Sequence, residues 1–368
     1  MKIHLIVGTR PNFMKVAPIF NELKNEAWCE LELIHTGQHY DENMSKKFLQ
    51  QLGLPTPDYQ LNVGGGSHAE QTASIMTGYE KICGKSRPDL VVVVGDVNST
   101  MACSVVAKKL DIQVAHVEAG LRSGDRTMPE EINRLITDSI SDIFLTPSSD
   151  ADENLLNEGH NREKIHLVGN VMIDCLEMLR EKIEATDLYE FLPSGLEDKK
   201  YIVSTFHRPA NVDAKQGLDS IISTLTDLSD EFNIVIPLHP RTKNNLIRFN
   251  LLSVLEENTN IHILEPLGYL QFMKLVFGAS LIITDSGGIQ EEASYLCIPC
   301  LTVRPNTERP VTIHEGTNKL TTLENVIQDM RVVLASKGYD SCKIRYWDGH
   351  ASRRIKETIM KLYGISVH

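Results

Sequence analysis

Short apolar runs alternate with amphipathic stretches along the whole chain. Residues 3–7, 31–35, 90–94, 114–117, 143–146 and 165–168 form apolar runs of strand length, and they read as buried strands. Between them, apolar residues recur at spacings of three and four, as in Val16-Ile19-Phe20-Leu23 and Ile132-Leu135-Ile136-Ser139-Ile140, the repeat of a helix with one apolar face. Buried strands alternating with such helices predict a parallel sheet covered on both faces. A polar stretch over 181–200, containing Pro193-Ser194-Gly195, interrupts the pattern, which restarts with runs at 201–205, 233–238, 261–264, 281–284 and 299–303. The expectation is an α/β protein of two doubly wound domains with a cleft between them, joined between Asn170 and Lys200. Periodicity does not decide where the final helix, 352–363, packs.

A chain of 368 residues accommodates two such domains. Its 37 Lys and Arg against 49 Asp and Glu leave a net charge of −12, which argues against a nucleic-acid partner. An anionic small molecule stays open, because a few local cations and helix N-termini can hold one. No apolar run approaches the ~20 residues of a membrane span, and the opening residues carry no leader pattern. A cytoplasmic protein with no membrane partner is expected. The seven cysteines are odd in number and mostly isolated, which argues against a disulfide framework. Cys297-Ile298-Pro299-Cys300 has redox spacing, but it follows a predicted helix and precedes a strand, so the helix dipole opposes a thiolate there. No His or Cys grouping has zinc-ligand spacing, and no metal is expected.

Ligands of open parallel sheets bind beyond the carboxyl ends of the strands, so the polar residues that follow each run are the ones to weigh. After the first run come Gly8-Thr9-Arg10-Pro11 and a helix carrying Lys15. After 90–94 comes Gly95-Asp96, and after 114–117 comes Glu118. Pro129-Glu130-Glu131 opens another helix, with Arg134 one turn on. In the second half, His207 follows 201–205, His239 follows 233–238, and Asp285-Ser286-Gly287-Gly288 follows 281–284. Glu130 and Glu131 serve equally well as first-turn residues that offset a helix dipole, and Asp96 as a turn cap. Two carboxylates ending buried strands on the ligand side weigh toward chemistry. The Ser286-Gly287-Gly288 turn is a phosphate cradle in type, and Glu292, one turn on, could accept from ribose hydroxyls. Gly64-Gly65-Gly66-Ser67 follows no clear strand and reads as a flexible loop, while His35, His68 and His160 stand out in no way. Residues alone therefore give a two-domain enzyme for a nucleotide-linked ligand and do not name its reaction.

Gly8-Thr9-Arg10-Pro11, His116-Val117-Glu118-Ala119-Gly120-Leu121-Arg122, Pro129-Glu130-Glu131-Ile132-Asn133-Arg134, Asp285-Ser286-Gly287-Gly288-Ile289-Gln290-Glu291-Glu292 and Thr307-Glu308-Arg309-Pro310 together resemble the non-hydrolysing UDP-N-acetylglucosamine 2-epimerases, in order over nearly the whole chain. The resemblance implies a GT-B fold, two Rossmann-like domains with a cleft between them. These would be 1–170, with 352–368 packing back on it, and 171–351. It also implies a homodimer, a UDP-sugar substrate, no metal, no cofactor, and a place in polysaccharide biosynthesis. The implied reaction is reversible conversion of UDP-N-acetylglucosamine to UDP-N-acetylmannosamine by elimination of UDP to a 2-acetamidoglucal and re-addition. By motif match, Asp96, Glu118 and Glu130 are the acid/base candidates and His207 a catalytic or leaving-group partner. Arg10, Lys15, Arg134, Ser286, Gly287, Gly288 and Arg309 match substrate-binding positions, Phe272 a uracil contact and Glu292 the ribose carboxylate. A 2-epimerase of a related UDP-2-acetamido sugar or uronate, or a GT-B glycosyltransferase, shares much of this pattern.

Three departures qualify the match. Ala210 stands where the family often has an acid after the histidine motif, and Leu267 where a glutamine is frequent near the uracil. Some members bind a second substrate molecule as activator through a Gln-His-x-Gln segment and a loop arginine. Here the segment is Gln38-His39-Tyr40-Asp41 and the 64–68 loop lacks arginine.

Overall fold

Each apolar run becomes a strand, fully buried at the sheet centre, as Leu90–Val94 is, and half-buried at the edges, as Ile165–Leu167 and Ile261–Leu264 are. The computed structural model describes residues 1–37, 49–192, 196, 200–335 and 341–366, without the side chains of Arg10 and Tyr189. The chain divides into two units, Met1–Met178 with Arg345–His368, and Leu179–Ile344. The first holds β1 (Lys2–Val7), β2 (Glu30–Gly37), β3 (Tyr59–Val63), β4 (Leu90–Val94), β5 (Gln113–Val117), β6 (Ile143–Thr146) and β7 (Ile165–Leu167), in the order β3-β2-β1-β4-β5-β6-β7. The second holds β8 (Tyr201–Thr205), β9 (Asn233–Pro237), β10 (Ile261–Leu264), β11 (Leu281–Thr284), β12 (Cys300–Val303) and β13 (Asn318–Thr321), in the order β10-β9-β8-β11-β12-β13. Every pairing is parallel. Two Rossmann-like sheets in succession are the architecture expected of a GT-B chain.

In each sheet the strand order reverses beside the first strand, β1 next to β4 and β8 next to β11. The crevice outside the carboxyl ends at such a switch point is where doubly wound sheets bind ligands. Packing drives the layers: Ile34, Tyr79, Val91, Val93, Val106 and Val114 share one core of the first unit. Leu218, Ile221, Ile222, Leu225 and Leu228, all on the helix Lys215–Ser229, close over Ile234, Ile236, Leu281 and Ile283 in the second.

Two of the four edge strands, β3 and β13, were absent from the expected set. Their sequences, Tyr59-Gln60-Leu61-Asn62-Val63 and Asn318-Lys319-Leu320-Thr321, are short and half polar, as edge strands are. One correction follows: Gly64-Gly65-Gly66-Ser67 does follow a strand, and it leads into a helix (His68–Lys85) whose Ser67 Oγ accepts from Glu70 N–H at 3.2 Å. Among the described residues, no helix is long and apolar enough to cross a membrane, and no group of His, Cys, Asp or Glu could hold a metal ion. Cys300 opens β12 fully buried, and burial pushes its thiol up to about 12.

The last helix, Ala351–Leu362, belongs to the first unit and packs on the helix Arg10–Leu23. Lys356 joins Glu22 at 2.9 Å and Glu26 at 3.0 Å. Its N-terminus is capped from outside the helix. The buried Asp174 carboxylate accepts Ala351 N–H at 2.9 Å, Ser352 N–H at 2.6 Å and Ser352 Oγ–H at 2.5 Å. Asp174→Ala strands three buried donors at once. At ~1–3 kcal/mol for a lost cap and an unsatisfied polar group, it is expected to lower the unfolding midpoint by roughly 2–10 °C. Thermal unfolding followed by circular dichroism reads this directly, and a midpoint within a degree of the parent would remove Asp174 as the anchor.

Candidate active site

The switch point of the first unit gathers charge where a surface loop would carry none. Beyond β1, Gly8 passes so close to the neighbouring helix that a Cβ on it would lie 2.4 Å from Ser99 Oγ, so the chain there needs glycine. Beyond β4 stands Asp96, whose Oδ2 takes Arg134 Nη2 at 2.5 Å. Beyond β5 stands Glu118, buried and held at a φ of +66°, a left-handed conformation that is uncommon for a non-glycine residue and clusters at functional sites. Lys15 Nζ occupies Glu118 Oε2 at 2.5 Å, whereas Glu118 Oε1 is buried with no hydrogen-bond partner among the described residues. An under-satisfied buried carboxylate oxygen is costly and so marks a position awaiting a donor.

Buried partners hold these carboxylates, among them Arg134, which the resemblance matched to substrate binding. Arg134, buried, also takes Glu131 Oε2 at 2.6 Å, and Glu131 accepts from the N–H groups of Ser123 and Gly124 at 3.0–3.1 Å. Burial works to raise the Glu131 carboxyl, but these bonds and the guanidinium hold it below the usual range. Glu131 therefore pins the 123–124 turn and Arg134. Its neighbour Glu130 is exposed and faces a cleft of about 350 Å3, also lined by Gly8, Thr9, Asp96, Asn98 and Asn133. His116, fully buried, links Asp138 Oδ1 at 2.6 Å to Gly95 O at 2.8 Å, which steadies the turn carrying Asp96. Asp138 further takes Arg122 Nη1 at 2.7 Å and Gly120 N–H at 3.0 Å. His68, Gly64 and Gly65 line the same cleft, so the glycine stretch and His68 both matter more than their spacing indicated. Arg10 opens its helix with its side chain outside the described residues, and Gln38-His39-Tyr40-Asp41 lies outside them altogether.

In the second unit the switch point is built on Asp285, which ends β11 with no exposure. It accepts from the N–H groups of His207 at 3.1 Å and Arg208 at 2.9 Å and from Asn211 Nδ2 at 3.0 Å, and it meets His207 Nδ1 at 2.9 Å. Burial works to raise Asp285, but these donors hold it below the ordinary aspartate value. With Nδ1 turned to the carboxylate, the partly exposed ring of His207 offers Nε2 outward.

The turn that follows is held from several sides. Ser286 donates its N–H to Thr284 Oγ1 at 2.9 Å, and Gln290 Nε2 donates to Ser286 O at 3.0 Å. Gln290 Oε1 accepts from Thr307 Oγ1 at 2.8 Å and Asn318 Nδ2 at 3.0 Å, tying the turn to the loop that carries Arg309. The two glycines have different reasons. A Cβ on Gly287 would lie 2.7 Å from Glu308 Oε1, while one on Gly288 would meet nothing within 4 Å. Packing thus demands glycine at 287, and Gly288 faces open space. Arg309 Nη1 meets Glu308 Oε1 at 2.7 Å, and its Nε lies 2.6 Å from Glu291 Oε1. Glu292 is buried with Tyr269 OH donating to Oε1 at 2.8 Å, and burial pushes its carboxyl up to about 7. Phe272 and Leu267 pack against the core around Tyr201 and Leu275. The sequence assigned roles to the turn, His207, Glu292 and Arg309, and none to Gln290 or Tyr269. Asp285 stood out by its place after β11 (Leu281-Ile282-Ile283-Thr284), but its role in holding His207 was not assigned.

Against known proteins, residues 21–360 match the family model described as UDP-N-acetylglucosamine 2-epimerase. The chain is 44% identical over 362 residues to UDP-N-acetylglucosamine 2-epimerase of Methanocaldococcus jannaschii, spanning 96% of this chain and 98% of that protein. It is 38% identical over 368 residues to UDP-2,3-diacetamido-2,3-dideoxy-D-glucuronate 2-epimerase of Pseudomonas aeruginosa, spanning 98% of this chain and 100% of that one. The crystal structure of the Methanocaldococcus jannaschii UDP-GlcNAc 2-epimerase in complex with UDP-GlcNAc and UDP superposes with a TM-score of 0.85 at 41% identity, covering 98% of this chain and 100% of that one. A family match over nearly the full length, with relatives this similar from end to end, makes the chain a member of the UDP-N-acetylglucosamine 2-epimerase family.

Proposed function

We propose that this chain is an isomerase that interconverts UDP-N-acetylglucosamine and UDP-N-acetylmannosamine at C2 without releasing free sugar. The observation that carries the reading is the strained, buried Glu118 with its unpartnered Oε1 beside Lys15, in a chain whose relatives are 2-epimerases of UDP-sugars. The C2 proton of such a sugar is not alpha to a carbonyl, so its direct removal has no enolate to stabilise it. Elimination avoids that difficulty. A base takes the C2 proton as the C1–O bond to UDP breaks, which leaves a 2-acetamidoglucal and UDP. A β-phosphate oxygen then re-adds at C1 while a proton is delivered to the other face of C2.

In this reading Glu118, Asp96 and Glu130 supply the proton acceptors and donors about C2. Arg134 and Glu131 keep Asp96 in place, and Lys15 keeps Glu118 in place. His207, oriented by Asp285, presents Nε2 to the departing or returning phosphate. The Ser286–Gly288 turn, Arg10 and Arg309 hold the diphosphate, Phe272 the uracil and Glu292 the ribose. Residues 1–170 with 352–368 form the acid/base domain of the proposal and 171–351 its nucleotide-binding domain. The homodimer, the cytoplasmic location and the role in polysaccharide biosynthesis implied by the resemblance remain part of it.

Incubation of UDP-GlcNAc in deuterium oxide, followed by proton NMR at the anomeric and C2 positions, tests the reading. UDP-ManNAc is expected to form with deuterium at C2 and without free N-acetylmannosamine. Transfer chemistry never breaks the C2–H bond, so consumption of UDP-GlcNAc with C2 protium retained would favour a glycosyltransferase. Turnover only with a diacetamido-uronate in the same assay would move the substrate to that of the Pseudomonas relative. Glu118→Gln keeps the shape and removes the titratable proton, and kcat is expected to fall by ~100-fold or more, the worth of a general acid or base. Near-parent kcat in that variant would exclude Glu118 from the proton transfers.

Glu292 gives a pH signature. Its folded value of about 7 lies above the ordinary glutamate value, so the folded protein favours the protonated form. The stability this contributes is complete below the unfolded value and is lost as pH rises towards 7. In unliganded protein, Glu292→Gln is therefore expected to gain on the parent as pH rises from 5 to 8, by roughly 2–3 kcal/mol at ~1.4 kcal/mol per pKa unit. UDP binding by the parent should strengthen over the same interval as the carboxylate forms, and the variant should lose that dependence. Denaturant melts and titrations at several pH values check both, and parallel pH profiles for parent and variant would contradict the assignment.

A further inference from the structure

The loop after β12 carries an arginine that no motif match assigns to the ligand. Arg304 is 6% exposed, and its Nη1 is buried with no hydrogen-bond partner among the described residues. A guanidinium holds five donors in a rigid fork and cannot shed its charge. An unpaired N–H on a buried one is therefore a standing cost unless something fills it. The surroundings do so only in part. Glu308 Oε2 takes Arg304 Nη2 at 3.0 Å, but Glu308 Oε1 is committed to Arg309 Nη1 at 2.7 Å. Arg309 has Glu291 Oε1 as a second carboxylate, 2.6 Å from its Nε. One carboxylate is thus shared by two guanidiniums, and Arg304 receives the smaller share.

Location gives the unpaired group a direction. Arg304 Nη1 lies 3.6 Å from where a Cβ on Gly287 would stand, beside the Ser286–Gly288 turn. Burial works to lower Arg304, and the positive charges of Arg208 and Arg309 add to that effect against Glu308, so a further anion would be welcome. Asp285, which precedes the turn, is already engaged by His207, Arg208 and Asn211.

We propose that Arg304 is a further phosphate-binding residue, whose buried Nη1 donates to a phosphate oxygen of the nucleotide held at the Ser286–Gly287–Gly288 turn. This rests on the reading that the turn binds the UDP moiety. Arg309, with Glu291 and Glu308 against it, then serves partly to hold Glu308, and through Glu308 to hold Arg304 in place. Without the glycine at 287, the guanidinium cluster could not pack this close to the turn.

Titrations of UDP and of uridine into the full chain test the proposal, because only UDP carries phosphate. Arg304→Met removes the charge at similar length, and UDP binding is expected to weaken by tenfold or more while uridine binding stays within twofold. Arg304→Lys keeps a cation for Glu308 but lacks the second nitrogen of the guanidinium fork, so it cannot reach Glu308 and a phosphate along two directions. It is expected to fold as the parent does and still lose UDP selectively, which covers the case in which the methionine variant is unstable. Equal weakening of UDP and uridine would make Arg304 a structural residue, and unchanged UDP binding would take it out of the phosphate site. Either result overturns the inference. A parent protein that bound neither ligand would instead overturn the nucleotide reading on which it rests.

Discussion

A carboxylate withdrawn from water must be met by donors or by a cation, and both polar regions of this chain are organised by that requirement. Asp138, Glu131 and Asp285 are buried and fully surrounded: His116, Arg122 and Gly120 serve the first, Arg134, Ser123 and Gly124 the second, and His207, Arg208 and Asn211 the third. Satisfied in this way, they act as posts that fix turns. Glu118 and Glu292 are buried too, but with fewer partners, one keeping a bare oxygen and the other pushed up to about 7. The carboxylates best provided for hold the scaffold, and Glu118 and Glu292, left short, are two of those to which the proposed function gives a ligand.

This division explains how similar side chains in one motif separate into different duties. Glu130 and Glu131 are adjacent in sequence and both open the helix Pro129–Ile140. A helix turns about 100° per residue, so one faces the cleft and the other turns inward to Arg134. The glycines of the second unit divide likewise, one shaped by the cluster behind it and the other by the space in front.

Much of the architecture was legible because buried parallel strands leave a strong mark: five consecutive apolar residues in β4 admit few other readings. β3 and β13 left a weak mark because their own sequences are short and half polar, whereas β7 and β10, also at edges, are mostly apolar and could be read. In the site, residues that terminate a strand and have chemistry of their own, such as Asp96, Glu118, His207 and Ser286, could be picked out by position. Residues that act on other residues could not. Gln290 fixes the turn through Thr307 and Asn318, and Tyr269 reaches Glu292 across 23 positions. Such partnerships exist only once the chain has folded. The strain at Glu118 was equally hidden, since nothing in a glutamate announces a left-handed backbone.

The return of the helix Ala351–Leu362 to the first unit has a consequence for how the protein is made. On the ribosome that helix emerges only after the second unit, residues 179–344, has been synthesised. At about 5–20 residues per second the interval is roughly 10–30 s. Throughout it the buried face of the helix Arg10–Leu23 lacks its covering partner, while the polypeptide that will form the second unit lengthens beside it. The first unit to appear is therefore the last to be completed. Its early stages leave that apolar strip uncovered while the rest of the chain is still being made.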